Sequence, residues 1–338
     1  MGTLHSRGLD SGSPVQLWAP ERPISELLAN VKLSIVTTLY RSSGFLDEFH
    51  RRASAAARAF AQDDYEIVYV NDGSPDDSLA RVLDIAQADS HTVVVDLSRN
   101  FGHHKAMMTG LAQSCGDNVF LIDCDLEESP EWLPDFAAAR EAASSDVAYG
   151  VQATRKGGWF ERLSGQWFWL LFNWLSDMQL PANLVTARLM SRRYVDALLQ
   201  HREREVFMAG LWHITGFAQT ALTVSKLSNS SSTYTFRKKV SLLVNSITSF
   251  SNAPLVGIFY TGVTISLMAA AYVVFLLVHW LFFNRPPSGW TSVMASIWLI
   301  GGLLMSSVGV IGIYLSKVFL ETKHRPYTIV RQVFRRPL

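Results

Sequence analysis

The sequence predicts an α/β domain built on a largely parallel sheet, followed by two helices that cross a membrane. Between residues 31 and 151, continuous runs of Val, Ile and Leu alternate with helical patterns, and two long apolar runs lie near the end of the chain. Apolar strands separated by helices are typical of parallel sheets covered on both faces. A chain of 338 residues has room for one sizeable domain and a membrane appendage.

Five segments carry the strand pattern, and helical patterns follow the first three. The strand segments are residues 33–38, 66–70, 92–97, 119–122 and 147–150. The helical patterns cover residues 46–62, begin again after Ser78, and begin once more near His104. Ligands of parallel sheets bind beyond the carboxyl ends of the strands. The residues that follow each strand are therefore the first candidates for a site.

The two apolar runs, residues 255–283 and 293–319, predict a transmembrane hairpin over residues 253–319. Each run exceeds the roughly 20 residues needed to cross a hydrocarbon core. Neither contains Asp, Glu or Arg. The alternative is a helical hairpin buried in a soluble core, although soluble helices rarely stay apolar on all sides for this length.

The distribution of cations predicts how the hairpin is oriented. The link between the two runs carries one cation, Arg285, whereas six Lys and Arg residues follow from Lys317 onward. By the positive-inside rule, we expect a multi-pass protein of the cell (inner) membrane whose large domain and basic tail, residues 320–338, are cytoplasmic. Residues 1–30 have no continuous apolar stretch of the signal-peptide type, and their Gly, Ser and Pro content predicts a disordered leader.

Two further stretches, both before the hairpin in the chain, have helical apolar periodicity. Residues 157–175 are rich in tryptophan on one face, and residues 236–252 carry the three consecutive cations Arg237-Lys238-Lys239 near their start. Both predict interfacial amphipathic helices, with ordinary core helices as the alternative.

Composition excludes other classes of protein. The net charge of +1 argues against a nucleic-acid partner. Cys115 and Cys124 lack the spacing of zinc ligands, and we expect buried, reduced thiols.

Polar residues cluster at the ends of four predicted strands. Thr38, Tyr40 and Arg41 end the first, Asn71-Asp72-Gly73-Ser74 the second, Ser98-Arg99-Asn100-Phe101-Gly102-His103 the third, and Asp123 with Asp125 the fourth. One cluster by itself is explained by turn chemistry, since Asn-Asp-Gly-Ser suits a tight turn. Four clusters on one edge of a sheet indicate a site.

The triplet Asp123-Cys124-Asp125, with Glu127 after it, supplies closely spaced carboxylates at a strand end. Such a group can form an oxygen cage for Mg²⁺ or Mn²⁺ against a diphosphate. The alternative is a cap for the helix expected near Ser129-Pro130-Glu131. The triplet alone leaves both open.

The order of the motifs resembles glycosyltransferase family 2, and in particular its polyprenyl-phosphate branch. The motifs are Tyr69-Val70-Asn71-Asp72-Gly73-Ser74, Leu97-Ser98-Arg99-Asn100-Phe101-Gly102, Asp123-Cys124-Asp125-Leu126-Glu127 and Arg188-Leu189-Met190-Ser191-Arg192-Arg193. Residues 311–315 and 323–327 are similar to the tail of bacterial enzymes that charge undecaprenyl phosphate with glucose or aminoarabinose. Dolichol-phosphate mannose synthases share the catalytic half. The resemblance covers roughly residues 31–333.

This resemblance implies a Rossmann-like GT-A domain over residues 31–235 that uses a UDP- or GDP-linked sugar and Mg²⁺ or Mn²⁺. The implied reaction is inverting transfer of one sugar to polyprenyl phosphate by a membrane-bound homo-oligomer. The implied catalytic residues are Asp123, Asp125 and Arg188; the nucleotide ligands are Thr38, Tyr40, Asp72, Arg99, Asn100, Gly102 and Asp123; the metal ligands are Asp125 and Glu127; and Arg188 and Arg192 hold the acceptor phosphate. Surface salt bridges are the alternative for both arginines.

Two departures from the family pattern stand out. Arg41-Ser42 replaces an Asn-Glu pair, and the segment 183–187 lacks the Gly-Asp that commonly precedes the position of Arg188. A lipid phosphate is largely dianionic at neutral pH and needs no general base, so the second change is compatible with catalysis. A processive polysaccharide synthase and a non-catalytic scaffold are the rival functions, although the Gln-x-x-Arg-Trp motif of the processive enzymes is absent from the sequence.

Overall fold

A computed structural model describes residues 31–152, 183–226, 251–283 and 289–335. The expected leader at 1–30 and the predicted interfacial helix at 157–175 lie outside these ranges, as does the predicted helix at 236–252 apart from its last two residues.

Eight strands form one mixed sheet in the described ranges. They are β1 (Leu33–Leu39), β2 (Tyr65–Asn71), β3 (Thr92–Leu97), β4 (Asn118–Leu121), β5 (Val147–Gln152), β6 (Leu184–Ser191), β7 (Gln219–Val224) and β8 (Val330–Phe334). Their order in space is β7-β5-β6-β4-β1-β2-β3-β8. β6 and β8 run opposite to the other strands, which are parallel to one another. The expected α/β fold is confirmed, with two reversed strands added to the parallel core.

Helices cover both faces of this sheet, and two longer helices follow it. They are α1 (Leu46–Ala61), α2 (Ser78–Ala88), α3 (His103–Gln113), α4 (Leu133–Ala142), α5 (Arg192–Leu198), α6 (Met208–Ile214), α7 (Ala253–Phe283) and α8 (Trp290–Thr322). Residues of α1 and α4 pack into one apolar core, and residues of α3, α5 and α6 pack into a second core on the opposite face. All seven residues of β2 are buried, which explains why its sequence does not alternate.

Gly110 allows helix α3 to pack directly against side chains of the sheet. A Cβ atom at this position would lie 2.6 Å from Cγ1 of Val36 and 2.8 Å from Cγ2 of Val70. Glycine removes that clash, so the helix can rest on β1 and β2. The close packing brings the first residues of α3 to the carboxyl ends of these strands, where the polar clusters lie.

Part of the predicted basic tail belongs to the sheet. β8 pairs antiparallel with β3, with Val94 opposite Phe334. Arg335 Nη1 lies 3.0 Å from Oε2 of the buried Glu66, and Arg331 Nη1 lies 3.0 Å from Oδ2 of the buried Asp96. Two cations of the predicted tail therefore pair with buried carboxylates of the domain.

Helices α7 and α8 match the two predicted apolar runs. Within them, Ala253–Tyr272 and Ser296–Thr322 have mean hydropathies of 1.6 and 1.9 and are long enough to cross a membrane. Many of the described apolar side chains on these two helices are exposed, and Phe282 and Trp298 are 73% and 80% accessible. The described parts of these helices are not buried in a soluble core, and apolar surface on this scale favours a nonaqueous partner.

Two contacts near the end of α8 connect this helix to the domain. Lys317 Nζ donates to Glu205 Oε2 at 2.6 Å, and the backbone N–H of Arg204 donates to Glu321 Oε1 at 2.8 Å. Earlier in α8, the Tyr314 hydroxyl donates to the carbonyl of Ser251, just before α7, at 2.6 Å. The last turns of α8 thus lie against the α/β domain.

Candidate active site

The polar ends of β1 and β4 meet through His103, the first residue of α3. Its Nδ1 lies 2.9 Å from Thr38 Oγ1, and its Nε2 lies 3.3 Å from Asp123 Oδ1. Burial has the largest single effect and lowers the pKa of His103, but the contact with Asp123 and the charges of Asp123, Glu128 and Asp72 together outweigh it, so the net pKa is raised. The imidazole therefore links the two strand ends, through a hydrogen bond to Thr38 and an ion-pair contact with Asp123.

Asp72 shapes the loop that follows β3. It is buried, and its two carboxylate oxygens accept hydrogen bonds from the backbone N–H groups of Phe101, at 2.7 Å, and Gly102, at 3.0 Å. Gly102 has φ of +101°, a conformation that favours glycine. Burial raises the pKa of Asp72, and these two donors oppose that effect. Asp72 thus positions the loop, and direct contact with a nucleobase stays a prediction.

The residues predicted to hold the nucleotide line the same edge of the sheet. Tyr40 is 49% accessible, and the Arg99 guanidinium lies 4.1 Å from the centre of the Phe101 ring while donating to the carbonyl of Asn100. These flat groups suit stacking on a base.

Arg41 and Ser42, which replace the family's usual pair, connect the first and second loops. The backbone N–H of Arg41 donates to Ser74 Oγ at 2.7 Å, and that of Ser42 donates to Ser78 Oγ at 3.1 Å. The departure in sequence therefore leaves these two loops joined to each other.

Four carboxylates gather after β4, and one lysine lies among them. The acids are Asp123, Asp125, Glu127 and Glu128. Lys226 Nζ lies 3.2 Å from Glu127 Oε2 and 3.6 Å from Glu128 Oε1. Glu128 and Lys226 are not among the site residues predicted from the sequence. The acidic run after the triplet was a signal for Glu128, whereas Lys226 lies a hundred residues farther on and only the fold brings it here.

The charges in this group perturb one another. Burial raises the pKa of Asp125. Burial and the nearby charge of Asp123 raise the pKa of Glu128 to about 7. Burial also raises the pKa of Asp123, but its close contact with His103 and the charge of that imidazole hold the pKa below its usual range. The site therefore carries more negative charge than its neighbouring cations neutralise, and bringing in a cation would relieve it.

The donor set fits a divalent cation that is shared with a ligand. Within the described ranges, no three His, Cys, Asp or Glu side chains converge to form a complete metal site. Mg²⁺ commonly takes one or two carboxylates, with substrate phosphates as its remaining ligands. Asp123 Oδ1 is buried and makes no hydrogen bond of good geometry with the described residues, so it can serve as such a ligand.

The helix-capping alternative for the triplet is wrong. The short 3₁₀ helix Pro130–Trp132 begins after Ser129, and no side chain caps it. Asp125 Oδ1 instead accepts from the N–H of Glu127 at 3.0 Å, and Asp123 Oδ2 accepts from Thr186 Oγ1 at 2.9 Å.

Arg188 is buried rather than part of a surface salt bridge. Its guanidinium carbon lies 2.9 Å from the centre of the Trp212 ring, and its Nε donates to the carbonyl of Thr186 at 3.3 Å. Burial lowers the pKa of Arg188 to about 9. Its Nη2 atom is buried without a hydrogen bond to the described residues, so the side chain has a donor left for a ligand.

The structure does not bring Arg192 to this site. Its guanidinium donates to the carbonyl of Gly116, at 2.6 and 2.9 Å, and lies 3.8 Å from Asp196. Gly116 precedes β4 whereas Asp123 follows it, and seven residues of extended chain span about 20 Å. The salt-bridge alternative describes Arg192 better, and we leave it out of the proposed site.

Comparisons with known proteins identify the family of the chain. Residues 34–199 match the model of Glycosyl transferase family 2. The chain is 47% identical, over 90% of its length and 89% of the other chain, to a Mycobacterium tuberculosis protein named as a glycosyltransferase. It is 28% identical, over 89% of its length and 98% of the other chain, to the bactoprenol glucosyl transferase of Shigella phage SfV.

Among solved structures, it is similar to glucosyl-3-phosphoglycerate synthase from Mycobacterium tuberculosis in complex with UDP. The TM-score is 0.47 and the identity is 18%, over 67% of this chain and 82% of the other.

The mixed sheet, the carboxylates after β4 and the sequence relatives agree, and the non-catalytic scaffold is thereby disfavoured. The chain belongs to glycosyltransferase family 2 and is a glycosyltransferase.

Proposed function

We propose that this glycosyltransferase moves one sugar from a UDP- or GDP-linked donor to polyprenyl phosphate at the cytoplasmic face of the inner membrane. The observation that carries the proposal is a glycosyltransferase site on a domain whose last strand, β8, continues from two exposed apolar helices. A lipid acceptor would reach such a site without leaving the membrane surface. The relative from phage SfV, named for a bactoprenol acceptor, supports the same substrate class.

The donor would bind along the carboxyl edge of β1 to β4. Tyr40 and Arg99 would flank the base, and the loop held by Asp72 would carry the nucleoside. Asp123 and Asp125 would hold Mg²⁺ or Mn²⁺ together with the diphosphate, with Glu127 close by. The ion would supply positive charge to the departing nucleoside diphosphate.

The acceptor needs alignment more than it needs a base. A phosphate monoester has a second pKa of about 6 and is mostly dianionic at neutral pH. Arg188, with its spare Nη2 donor, is our candidate for aligning this anion near the anomeric carbon. Single displacement by the phosphate oxygen breaks the bond from the anomeric carbon to the diphosphate and inverts the anomeric centre.

The pairing of β8 with β3 supports a hairpin topology. The strand lies after α8, whereas the rest of the sheet lies before α7. Both ends of a membrane hairpin must then face the same side, which requires an even number of crossings. The cations from Lys317 onward favour the cytoplasm as that side.

The test is transfer of label to lipid. Detergent-purified protein is incubated with Mn²⁺, undecaprenyl phosphate and labelled UDP- and GDP-sugars, and organic-soluble label is counted. We expect metal-dependent product with one sugar per lipid by mass spectrometry, and its loss in Asp125→Asn. Asp135→Asn, an exposed acid of α4, is the matched control and should keep full activity.

Lipid product from the Asp125→Asn variant at the control's rate would contradict the proposed metal site. Product carrying several sugars would favour a processive enzyme. A folded protein that labels no lipid with any donor would refute the polyprenyl-phosphate acceptor.

A further inference from the structure

A cavity of about 260 Å³ lies beside the carboxylates, between the ends of β5, β6 and β7. Its polar lining comes from Glu128, Gln152, Asn183, Thr186 and Lys226. One carboxylate, two amides, a hydroxyl and an ammonium group thus face one small space. Together they can both donate and accept hydrogen bonds, which is what a polyhydroxylated ligand requires.

Glu128 is the buried charge of this cavity. The residue has no accessible surface, and its Oε1 accepts from the backbone N–H of Thr186 at 2.9 Å. Its Oε2 has no hydrogen-bond partner among the described residues. A buried carboxylate oxygen without a donor is unfavourable, so a ligand hydroxyl that donates to this group would be bound strongly. The terminal torsion of a glutamate is broad, which allows either oxygen to turn toward the cavity.

Thr186 joins the cavity to the proposed diphosphate site. Its hydroxyl donates to Asp123 Oδ2 at 2.9 Å, while its N–H holds Glu128. A group attached to a diphosphate at Asp123 and Asp125 would therefore lie at the cavity's entrance. In a nucleotide sugar, that group is the sugar.

We propose that this cavity binds the sugar being transferred, with Glu128 as the principal acceptor of its hydroxyl hydrogen bonds and Gln152 and Asn183 as residues that discriminate among sugars. The inference rests on the proposed use of a nucleotide-sugar donor. Lys226 holds Glu128 in place and offers a second donor to the same hydroxyls. The site thus assigns sugar recognition to residues after β4 and at the ends of β5 and β6.

The experiment compares binding of a nucleoside diphosphate with binding of its sugar conjugate. Titration calorimetry on the full chain in detergent uses Mn²⁺ with UDP, UDP-glucose, GDP and GDP-mannose, in the absence of lipid acceptor. We expect Glu128→Gln to leave the affinity for the free diphosphate within about twofold and to weaken the sugar nucleotide by about tenfold or more, as loss of a charged hydrogen bond requires. Glu141→Gln, an exposed acid of α4, should change neither affinity.

A second variant guards against misfolding at the buried position. Gln152→Ala removes a partly exposed amide, and we expect it to change the ratio of affinities for UDP-glucose and its epimer UDP-galactose while leaving UDP unaffected. Equal losses for diphosphate and sugar nucleotide would overturn the inference and assign Glu128 to the diphosphate site. No change in either variant would also overturn it. If no nucleotide binds, the proposed nucleotide-sugar donor is refuted. That outcome differs from a failure to label lipid, which tests the polyprenyl-phosphate acceptor.

Discussion

Replacing Arg335 by Met should destabilise the domain strongly, because it leaves Glu66 as a buried charge. Glu66 is 1% accessible, and its Oε2 lies 3.0 Å from Arg335 Nη1. Its Oε1 is held by neutral donors, the Ser34 hydroxyl and the Cys115 N–H, each at 2.7 Å. Removing one partner of a buried ion pair costs about 3 to 5 kcal/mol. The Arg335 side chain is 19% accessible, so water can enter and the lower value is expected.

The assay is thermal unfolding in detergent, followed by tryptophan fluorescence at one fixed heating rate. For a domain of this size, about 3 kcal/mol corresponds to a fall in Tm of about 6 to 12 °C. The double variant Arg335→Met with Glu66→Gln should recover most of that loss, because the neutral amide has no charge to bury. The exposed pair Arg51–Glu48 provides the control, and Arg51→Met should lower Tm by about 1 °C or less.

Two results would refute this reasoning. If the Tm of Arg335→Met equals that of the control variant Arg51→Met, the ion pair does not stabilise the fold. If Glu66→Gln fails to rescue the variant, the loss comes from β8 packing rather than from the buried charge.

Three further predictions concern packing, the nucleotide loop and the tail. Gly110→Ala should destabilise the domain by about 1 to 3 kcal/mol in a chemical-denaturation series, because the new methyl group must push α3 away from β1; an unchanged midpoint would contradict the close packing. Asp72→Asn should weaken UDP binding by about tenfold, because an amide can accept from only one of the two N–H groups that the carboxylate now holds; equal affinities in calorimetry would argue against this role for the loop. Deleting residues 327–338 should increase hydrogen exchange along β3, since its edge loses β8; protection equal to that of the full chain would show that the strand is dispensable.

The central fold could be predicted from local pattern alone. Strands β1 to β5 and helices α1 to α3 carry continuous apolar runs or helical periodicity, and the structure places them close to the expected ranges. The two apolar runs likewise became α7 and α8, because length and composition determine such helices without reference to the rest of the chain.

The site was predictable where residues adjoin a strand end. Asp72, Asp123 and Asp125 lie at the carboxyl edge of the sheet because parallel strands bring their ends together. The prediction for Arg192 was wrong. Arg192 lies only four residues from Arg188 in sequence, but β6 runs antiparallel to β4 and brings Arg192 to the edge of the sheet where β4 begins. Whether a strand pairs parallel or antiparallel depends on its partner strand, so it cannot be predicted from the local sequence.

The sequence by itself determined the element types, the two membrane-length helices and the acidic triplet, because each is a property of a few neighbouring residues. Only the tertiary structure decided that β8 returns to the sheet, that Arg335 neutralises Glu66, and that Lys226 and Glu128 meet beside Asp123. These pairs are separated by roughly one hundred to 270 residues. The energy that joins them comes from burying charge and completing a sheet edge, and those terms exist only once the chain has folded.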